Sequence, residues 1–248
     1  MERARERASE RWGAANQQAC AGERARARSV FFPINLLQPA LFSPALTSAH
    51  DTRHTKKKDS PVPIGWSQTI SAPHMHAAAL DMLEGQLVPG ARALDVGSGS
   101  GYLAAAMALL VGPGGCVLGV DKHAPLVERS RAAVAAALPP AAAALVTLIN
   151  ANALGGDDDA LGGPFDAIHV GAAADHLPAS LVAALAPGGR LIIPVGPDVT
   201  GPGAAVGGGQ VLKVVDKSPD GRSVSEEDVM GVRFVPLTAP GVDREGGL

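Results

Sequence analysis

The 248-residue chain has 46% hydrophobic residues and a formal net charge of −3, which is unevenly spread. Residues 1–60 hold 11 Lys and Arg against 6 Asp and Glu, whereas residues 61–248 hold 10 against 18. This acidic body argues against a nucleic-acid-binding protein, which needs clustered basic residues. No apolar run approaches the roughly 20 residues that span a membrane, and no metal site is expected because the histidines and cysteines lack ligand spacing.

The composition changes near residue 60. Residues 1–58 are rich in Arg, Glu and Ala and are predicted to form an atypical basic, disordered extension. A transit peptide or a wrongly predicted first exon would have a similar composition, although the glutamates in this segment are unusual for a transit peptide. We therefore expect a folded domain over residues 59–240, a tail at 241–248 and a cytoplasmic location, with organellar targeting as the alternative.

The first predicted element lies in "TISAPHMHAAALDMLEGQL", residues 69–87. Ala77, Leu80 and Leu83 recur at helical spacing. Ser71 is a candidate N-cap, and Pro73 is tolerated in a first helical turn. Capping alone would explain the serine, so a role for Ser71 in a site needs further support.

Beyond this helix, short apolar runs alternate with helical stretches near 102–111, 123–138 and 178–186. The predicted strands are Arg92–Val96, Cys116–Val120, Leu145–Asn150, Phe165–Val170 and Arg190–Val195. Such alternation predicts a doubly wound, mostly parallel sheet with helices on both faces. After Val195 the helices stop, and Gln210–Asp216 with Val232–Leu237 predict an antiparallel hairpin at one sheet edge, connected by "SPDGRSVSEED".

A glycine loop, "GSGSG" at 97–101, follows the first parallel strand directly. Its G-x-G-x-G spacing puts Tyr102 where the dinucleotide fingerprint has its third glycine. Asp95 at the strand end would repel phosphates but suits a cation, and S-adenosyl-L-methionine carries a sulfonium and an ammonium without phosphate. Asp121 ends the next strand, where an acid can accept both ribose hydroxyls of an adenosine. The loop and the two acids together predict an adenosyl cofactor.

Four segments make a more specific match. Residues 59–102, which include "TISAPHMHA" and "LDVGSGSGY", resemble protein-L-isoaspartate (D-aspartate) O-methyltransferase, as do 165–174 ("FDAIHVGAAA"), 185–196 and 230–238. The resemblance covers about residues 59–240 and implies a class I S-adenosylmethionine-dependent methyltransferase fold. It also implies a monomeric repair enzyme that methylates the α-carboxylate of L-isoaspartyl, and also D-aspartyl, residues in damaged proteins and peptides.

The resemblance also assigns roles to individual residues. Ser71 matches the active-site serine, and His74 is expected either to line the substrate pocket or to lie on the helix surface. His169, on a buried strand, is interpreted as a hydrogen-bonded core histidine. The expected cofactor-binding residues are Gln68, Thr69, Ile70, Ser71, His76, Asp95, Gly97, Ser98, Gly99, Asp121, Lys122, Asn152, Ala153 and Thr238.

The chain departs from the family in two places. Ala151-Asn152-Ala153 replaces the family's G-D-G, whose acid meets the adenine amino group. The amide oxygen of Asn152 can still accept that hydrogen bond, so we expect weaker cofactor binding, which Asn152→Asp should tighten. Residues 1–58 show no match to the family's N-terminal helices. Two alternatives therefore stay open: a methyltransferase of this fold acting on another carboxylate, and a non-catalytic S-adenosylmethionine-binding module.

Overall fold

A computed structural model describes residues 59–154, 161–198 and 209–238. Its main sheet has seven strands in the order β5-β4-β3-β6-β7-β8-β9. These are β3 (Arg92–Val96), β4 (Cys116–Asp121), β5 (Val146–Asn150), β6 (Phe165–Val170), β7 (Leu185–Val195), β8 (Gln210–Lys217) and β9 (Val224–Val232). The helices are α1 (Pro73–Leu83), α2 (Tyr102–Val111), α3 (Ala124–Ala137), α4 (Pro140–Ala143) and α5 (Ala179–Ala183).

The sheet is parallel from β5 through β7 and antiparallel between β7 and β8 and between β8 and β9. The chain runs from β3 outward through β4 to β5, then returns to the other side of β3 with β6. This reversal opens a crevice at the carboxyl ends of the central strands, where ligands bind in open α/β sheets. The predicted mostly parallel, doubly wound fold with an antiparallel edge is confirmed.

Successive side chains of a strand point to opposite faces, and the central strands of the sheet are buried on both faces. On one face, Ala93 and Ala167 pack with α1, α2 and α3. On the other, Leu94 and Ile168 pack with Leu181 of α5. The next residues on the first face are Asp95 on β3 and His169 on β6, so two polar side chains interrupt an apolar layer.

The predicted edge hairpin is present, but its second strand was placed wrongly. β9 covers Val224–Val232 and pairs with β8 from Gln210↔Val232 to Lys217↔Val224. Residues 225–228, read from the sequence as connection, lie in this strand. Eight of the nine residues of β9 are exposed, so residues 225–228 can be polar. The strand therefore lacks the alternation of apolar and polar residues on which the prediction relied. Residues 233–237 instead leave the sheet. β7, the strand that precedes this hairpin, also begins earlier than predicted, at Leu185.

The sequence also missed a small antiparallel hairpin, β1 (Val62–Gly65) with β2 (Gln68–Ile70). Its turn residues, Trp66 and Ser67, have φ of 51° and 54°, which is unusual for residues with a Cβ. Polar and exposed side chains around one buried residue, Ile64, gave no strand period to read.

The start of α1 corrects a second prediction. The helix begins at Pro73 with Ala72 as its N-cap residue, and Ala72 supplies no side-chain hydrogen bond. Ser71 therefore is not the cap. Asp59 supplies one from 15 residues away, since its Oδ1 accepts the backbone N–H of His74 at 3.1 Å.

Several predictions fall outside the described residues. They concern the extension at 1–58, the tail at 241–248 and most of the Gly/Pro/Ala loop after Val195. Within the described residues, no helix is both long and apolar enough to cross a membrane.

Candidate functional site

A cleft opens at the carboxyl ends of β3, β4 and β5. Of the fourteen predicted cofactor-binding residues, seven line it: Gln68, Gly97, Asp121, Lys122, Asn152, Ala153 and Thr238. The remaining lining residues are Val96, Val120, His123, Ala151, Ala172, Pro236 and Leu237. One cleft therefore joins segments that are up to 170 residues apart in the sequence.

The glycine loop, residues 97–101, begins at the cleft, which Gly97 lines. Gly97, Gly99 and Gly101 all have positive φ, from 52° to 78°, a backbone region that glycine enters without strain. Gly101 also lacks room for a side chain, because a Cβ there would come within 2.9 Å of Val134. At Gly99 a Cβ would meet Ile64 of the β1–β2 hairpin at 3.3 Å. The hairpin thus contacts the loop at Gly99, and Gly97 is the loop residue that lines the cleft.

Asp121 is fixed at the end of β4. Its Oδ2 accepts the backbone N–H of Gly99 at 3.0 Å, and its Oδ1 accepts that of His123 at 2.9 Å. Each carboxylate oxygen keeps further acceptor capacity, and the residue lines the cleft. An acid held in this way can receive two hydroxyl donors, as a ribose presents.

Two hydrogen bonds hold the C-terminal segment against the cleft. The Lys122 ammonium donates to Thr238 Oγ1 at 2.8 Å, and Asn152 Nδ2 donates to the Thr238 carbonyl oxygen at 2.9 Å. Asn152 Oδ1 accepts the backbone N–H of Leu154 at 2.9 Å. Both partners fit one orientation of the amide, with the nitrogen toward a carbonyl and the oxygen toward an N–H. Asn152 therefore lies in the cleft and also holds the C-terminal segment there. We call its hydrogen bond to the Thr238 carbonyl oxygen the clasp.

The segment 68–71 leads from the hairpin toward α1. Gln68 lines the cleft, Thr69 is exposed, and Ile70 and Ser71 are half-buried. The Ser71 hydroxyl caps no helix and has no hydrogen-bond partner among the described residues. It is therefore free to bind a ligand.

A buried polar cluster lies beneath the loop. His169 Nδ1 is 2.7 Å from Asp95 Oδ1, and the two side chains are 12% and 2% exposed. Asp95 Oδ2, Ser98 Oγ and His76 Nε2 are buried and have no hydrogen-bond partner in the described part of the chain. Burial, together with the neighbouring His169, lowers the pKa of His76 to about 3, although a hydrogen bond with the Ser71 backbone acts in the opposite direction. His76 is therefore neutral at pH 7, and its ring packs 4.7 Å from that of Tyr102.

These features fit S-adenosylmethionine. A buried carboxylate with an unpartnered oxygen is costly unless a donor or a cation completes it, and Asp95 Oδ2 fits an ammonium. The glycine backbone and the fixed Asp121 suit an adenosine. The Ser98 side chain packs over Gly119 of β4 and does not line the cleft.

His74 lies apart from this cluster. Its side chain is 58% exposed, and Nδ1 is 2.8 Å from Asp59 Oδ1. These hydrogen bonds hold the pKa of the Asp59 carboxyl below its ordinary value. Of the two positions expected for His74, the structure has the one on the helix surface.

Other lining residues were missed by the sequence reading. Ala172 follows β6, and backbone bonds from Ala173 to Val235 and from Leu237 to Ala173 bring the C-terminal segment beside it. Since these contacts use only backbone atoms, no residue type signals them. The position of Ala172 just after a predicted parallel strand was the one available clue.

The sheet order, the glycine loop and the fixed acid after β4 define a class I S-adenosylmethionine-dependent methyltransferase. The profile of the protein-L-isoaspartate(D-aspartate) O-methyltransferase family matches residues 47–241. The chain belongs to this family. The match begins twelve residues before the domain start predicted at residue 59.

Individual relatives agree with the family. A protein-L-isoaspartate O-methyltransferase of Triticum aestivum is 47% identical over 190 residues, which cover 75% of this chain and 76% of the relative. One of Caenorhabditis elegans is 43% identical over 187 residues, or 73% and 76%. A crystal structure from Plasmodium falciparum, described as a protein-L-isoaspartate O-methyltransferase in complex with S-adenosyl-L-homocysteine, superposes on this chain with a TM-score of 0.67. It is 28% identical, and the alignment covers 93% of this chain and 96% of that one.

Proposed function

We propose that this protein transfers a methyl group from S-adenosylmethionine to the α-carboxylate of L-isoaspartyl residues, and of D-aspartyl residues, in damaged proteins and peptides. The observation that carries the proposal is a cleft that is lined by seven of the predicted cofactor-binding residues. Family membership supplies the substrate class.

The chain would hold the cofactor with groups already in place. Asp121 receives the ribose hydroxyls, Asn152 and Ala153 lie at the adenine end, and the backbone of the glycine loop supports the middle. Asp95 lies beneath the amino-acid end. When bound, S-adenosylmethionine supplies an electrophilic methyl group on its sulfonium.

The substrate needs positioning rather than activation. A carboxyl group with a pKa near 4 is ionised at pH 7 and is therefore already a nucleophile, so the chain need not provide a general base. The Ser71 hydroxyl can donate a hydrogen bond to one carboxylate oxygen and leave the other directed at the methyl group. Holding two reactants in line in this way accounts for much of the rate enhancement in such reactions.

The product chemistry explains repair. Methylation turns the carboxylate into a methyl ester, whose methoxide leaves more easily than oxide. The neighbouring backbone nitrogen then closes a succinimide with loss of methanol, and water reopens that ring partly to normal aspartate.

A paired-peptide assay tests the proposal. The full chain is incubated with methyl-labelled S-adenosylmethionine and either an isoaspartyl peptide or its normal aspartyl twin. We expect labelling of the isoaspartyl peptide alone. Equal labelling of both peptides, or labelling only of an unrelated carboxylate, would indicate the alternative methyltransferase. Cofactor binding without labelling of any substrate would indicate the non-catalytic module.

The proposal also covers the setting of the enzyme: a cytoplasmic monomer that binds neither nucleic acid nor membrane. The excess of acidic over basic residues in 61–248 supports the second part, because it repels polyanions and anionic lipids. Light scattering of the purified chain and imaging of a tagged full chain test the first part.

A further inference from the structure

The buried pair formed by His169 and Asp95 has a geometry that a core ion pair would not need. β3 and β6 are parallel neighbours, with Asp95 directly opposite His169 in the ladder. Both side chains therefore project to the same face, toward α1 and α2. The surrounding residues of that layer, such as Ala93, Ala167 and Ile192, are apolar and buried.

The pair is only half completed. His169 Nδ1 bonds to Asp95 Oδ1 at 2.7 Å, whereas Asp95 Oδ2 is buried and lacks a hydrogen-bond partner. A core salt bridge that served stability alone would satisfy both oxygens, since an unsatisfied buried acceptor is destabilising. The loop that begins two residues later, at Gly97, lines the cofactor cleft.

The remaining titratable neighbour does not complete the carboxylate, since no hydrogen bond joins it to Asp95 among the described residues. His76, on α1, has its own buried Nε2 without a partner, and burial beside His169 lowers its pKa to about 3. It is therefore neutral at pH 7. Tyr102, on α2, packs its ring against that of His76. No described residue is a partner of Asp95 Oδ2, so this oxygen is available to a bound ligand.

We propose that His169 is a positioning residue for cofactor binding: it occupies one oxygen of Asp95 and so presents the other to the ammonium group of the cofactor's amino-acid end. A rotating carboxylate would share its two oxygens among several orientations. With Oδ1 held by an imidazole that is anchored on the adjacent strand, Oδ2 keeps one direction. This inference rests on the cofactor in the proposed function and is independent of its substrate.

The test compares two ligands that differ only at the end in question. S-adenosylhomocysteine carries the amino-acid group, whereas 5′-methylthioadenosine has the same adenosine and thioether without it. Calorimetry on the full chain measures both affinities for the parent, His169→Leu and His169→Asn. Leucine removes the donor, and asparagine places an N–H at the same number of bonds from Cα as Nδ1.

We expect His169→Leu to weaken S-adenosylhomocysteine binding at least tenfold while methylthioadenosine binding changes less than about twofold. His169→Asn should stay within about threefold of the parent for both ligands. A purely structural role would weaken both ligands alike and would not be rescued by asparagine. That outcome, or unchanged affinity for both ligands in His169→Leu, would overturn the inference.

Asp95→Asn keeps the test decisive if His169→Leu does not fold. It is isosteric with the parent and should give the same selective loss of S-adenosylhomocysteine. His169→Gln, whose amide nitrogen lies one bond further from Cα than Nδ1, removes the donor but keeps a polar side chain, and alone it should also weaken S-adenosylhomocysteine selectively. Adding His169→Gln to Asp95→Asn should then cause no further loss, because the positioned charge is already gone. A further large loss in the double variant would contradict action through Asp95. Since no peptide substrate is used, these results are separable from failure of isoaspartyl methylation.

Discussion

Replacing Asn152 by aspartate sets the family resemblance against the structure. The resemblance predicts that the acid restores a partner for the adenine amino group and tightens cofactor binding. In the structure, however, Asn152 Nδ2 donates to the Thr238 carbonyl oxygen at 2.9 Å. Aspartate has no donor at neutral pH, so it would turn a carboxylate oxygen toward a carbonyl oxygen. We therefore expect Asn152→Asp to weaken cofactor binding.

The magnitudes decide the sign. Exchanging the amide acceptor for a carboxylate strengthens the hydrogen bond to the adenine amino group from about 0.5–1.5 to about 1.5–3 kcal/mol, which is a gain of about 1–1.5 kcal/mol. Against it stand the loss of the clasp, also about 0.5–1.5 kcal/mol, and the penalty of about 1–3 kcal/mol for an acceptor left without a donor. The net loss is about 1–2 kcal/mol, or roughly 5- to 30-fold in affinity. The Lys122 bond to Thr238 Oγ1 remains and limits the effect.

Calorimetry with S-adenosylhomocysteine measures the affinity, and hydrogen exchange of residues 233–238 reports on the clasp. The matched control is Asn150→Asp, which adds the same charge at the end of the same strand. It removes an amide bond to the Asp121 carbonyl but does not contact the C-terminal segment. We expect the control to lose less affinity than Asn152→Asp and to leave exchange at residues 233–238 unchanged, because it does not break the hydrogen bond to Thr238. Tighter binding by Asn152→Asp, with unchanged exchange at 233–238, would refute the reasoning.

Four further substitutions test the rest of the site. Asp121→Ala should weaken cofactor binding tenfold or more, because two ribose hydroxyls lose a charged acceptor worth about 1.5–3 kcal/mol per bond; unchanged calorimetry would contradict the assignment. Ser71→Ala should slow methylation of isoaspartyl peptide at least tenfold while thermal unfolding and cofactor affinity stay near the parent values. Asp59→Ala should lower the midpoint of thermal unfolding, since it removes the cap of α1. A midpoint that is lowered by Ser71→Ala but not by Asp59→Ala would identify Ser71 as the cap instead. His76 has its ordinary pKa of about 6.5 in the unfolded chain but a pKa of about 3 in the folded chain. The unfolded chain therefore binds more protons below pH 6.5, and the free energy of unfolding should fall by about 2 kcal/mol between pH 7 and pH 5. Urea unfolding of His76→Phe should lack this pH dependence, and an equally steep loss of stability in the variant would assign the dependence to another group.

The sequence predicted the parts of the fold that depend on period and composition. The bounds of β3 and β6 were predicted to the residue because most of their side chains are buried and apolar and turn residues follow both strands. The β1–β2 hairpin and β9 were missed because their side chains are mostly exposed. Without a buried face, strand residues have no alternation to read.

The site divides in the same way. The loop 97–101 and Asp121 could be placed from chemistry alone, because glycines after a strand and an acid at the next strand end have few other uses. Asp59 could not be found as the cap of α1, since it lies 15 residues from its partner and no local signature links the two. The clasp at Asn152 was also out of reach, because its acceptor is a backbone carbonyl. The pairing of Asp95 with His169 required the strand order.

The acidic run in β9 has a consequence for solubility. In the described part of the chain, no strand pairs with the outer edge of β9, so its backbone groups are open to another strand. Glu226 and Asp228 project on one face and Glu227 on the other, and Lys213 of β8 neutralises only the first face, at 2.7 Å from Asp228 and 3.4 Å from Glu226. Two such edges approaching each other would bring carboxylates together, and charged residues on exposed edge strands oppose that pairing. The residues that hid this strand from sequence reading thus protect the sheet from edge-to-edge aggregation.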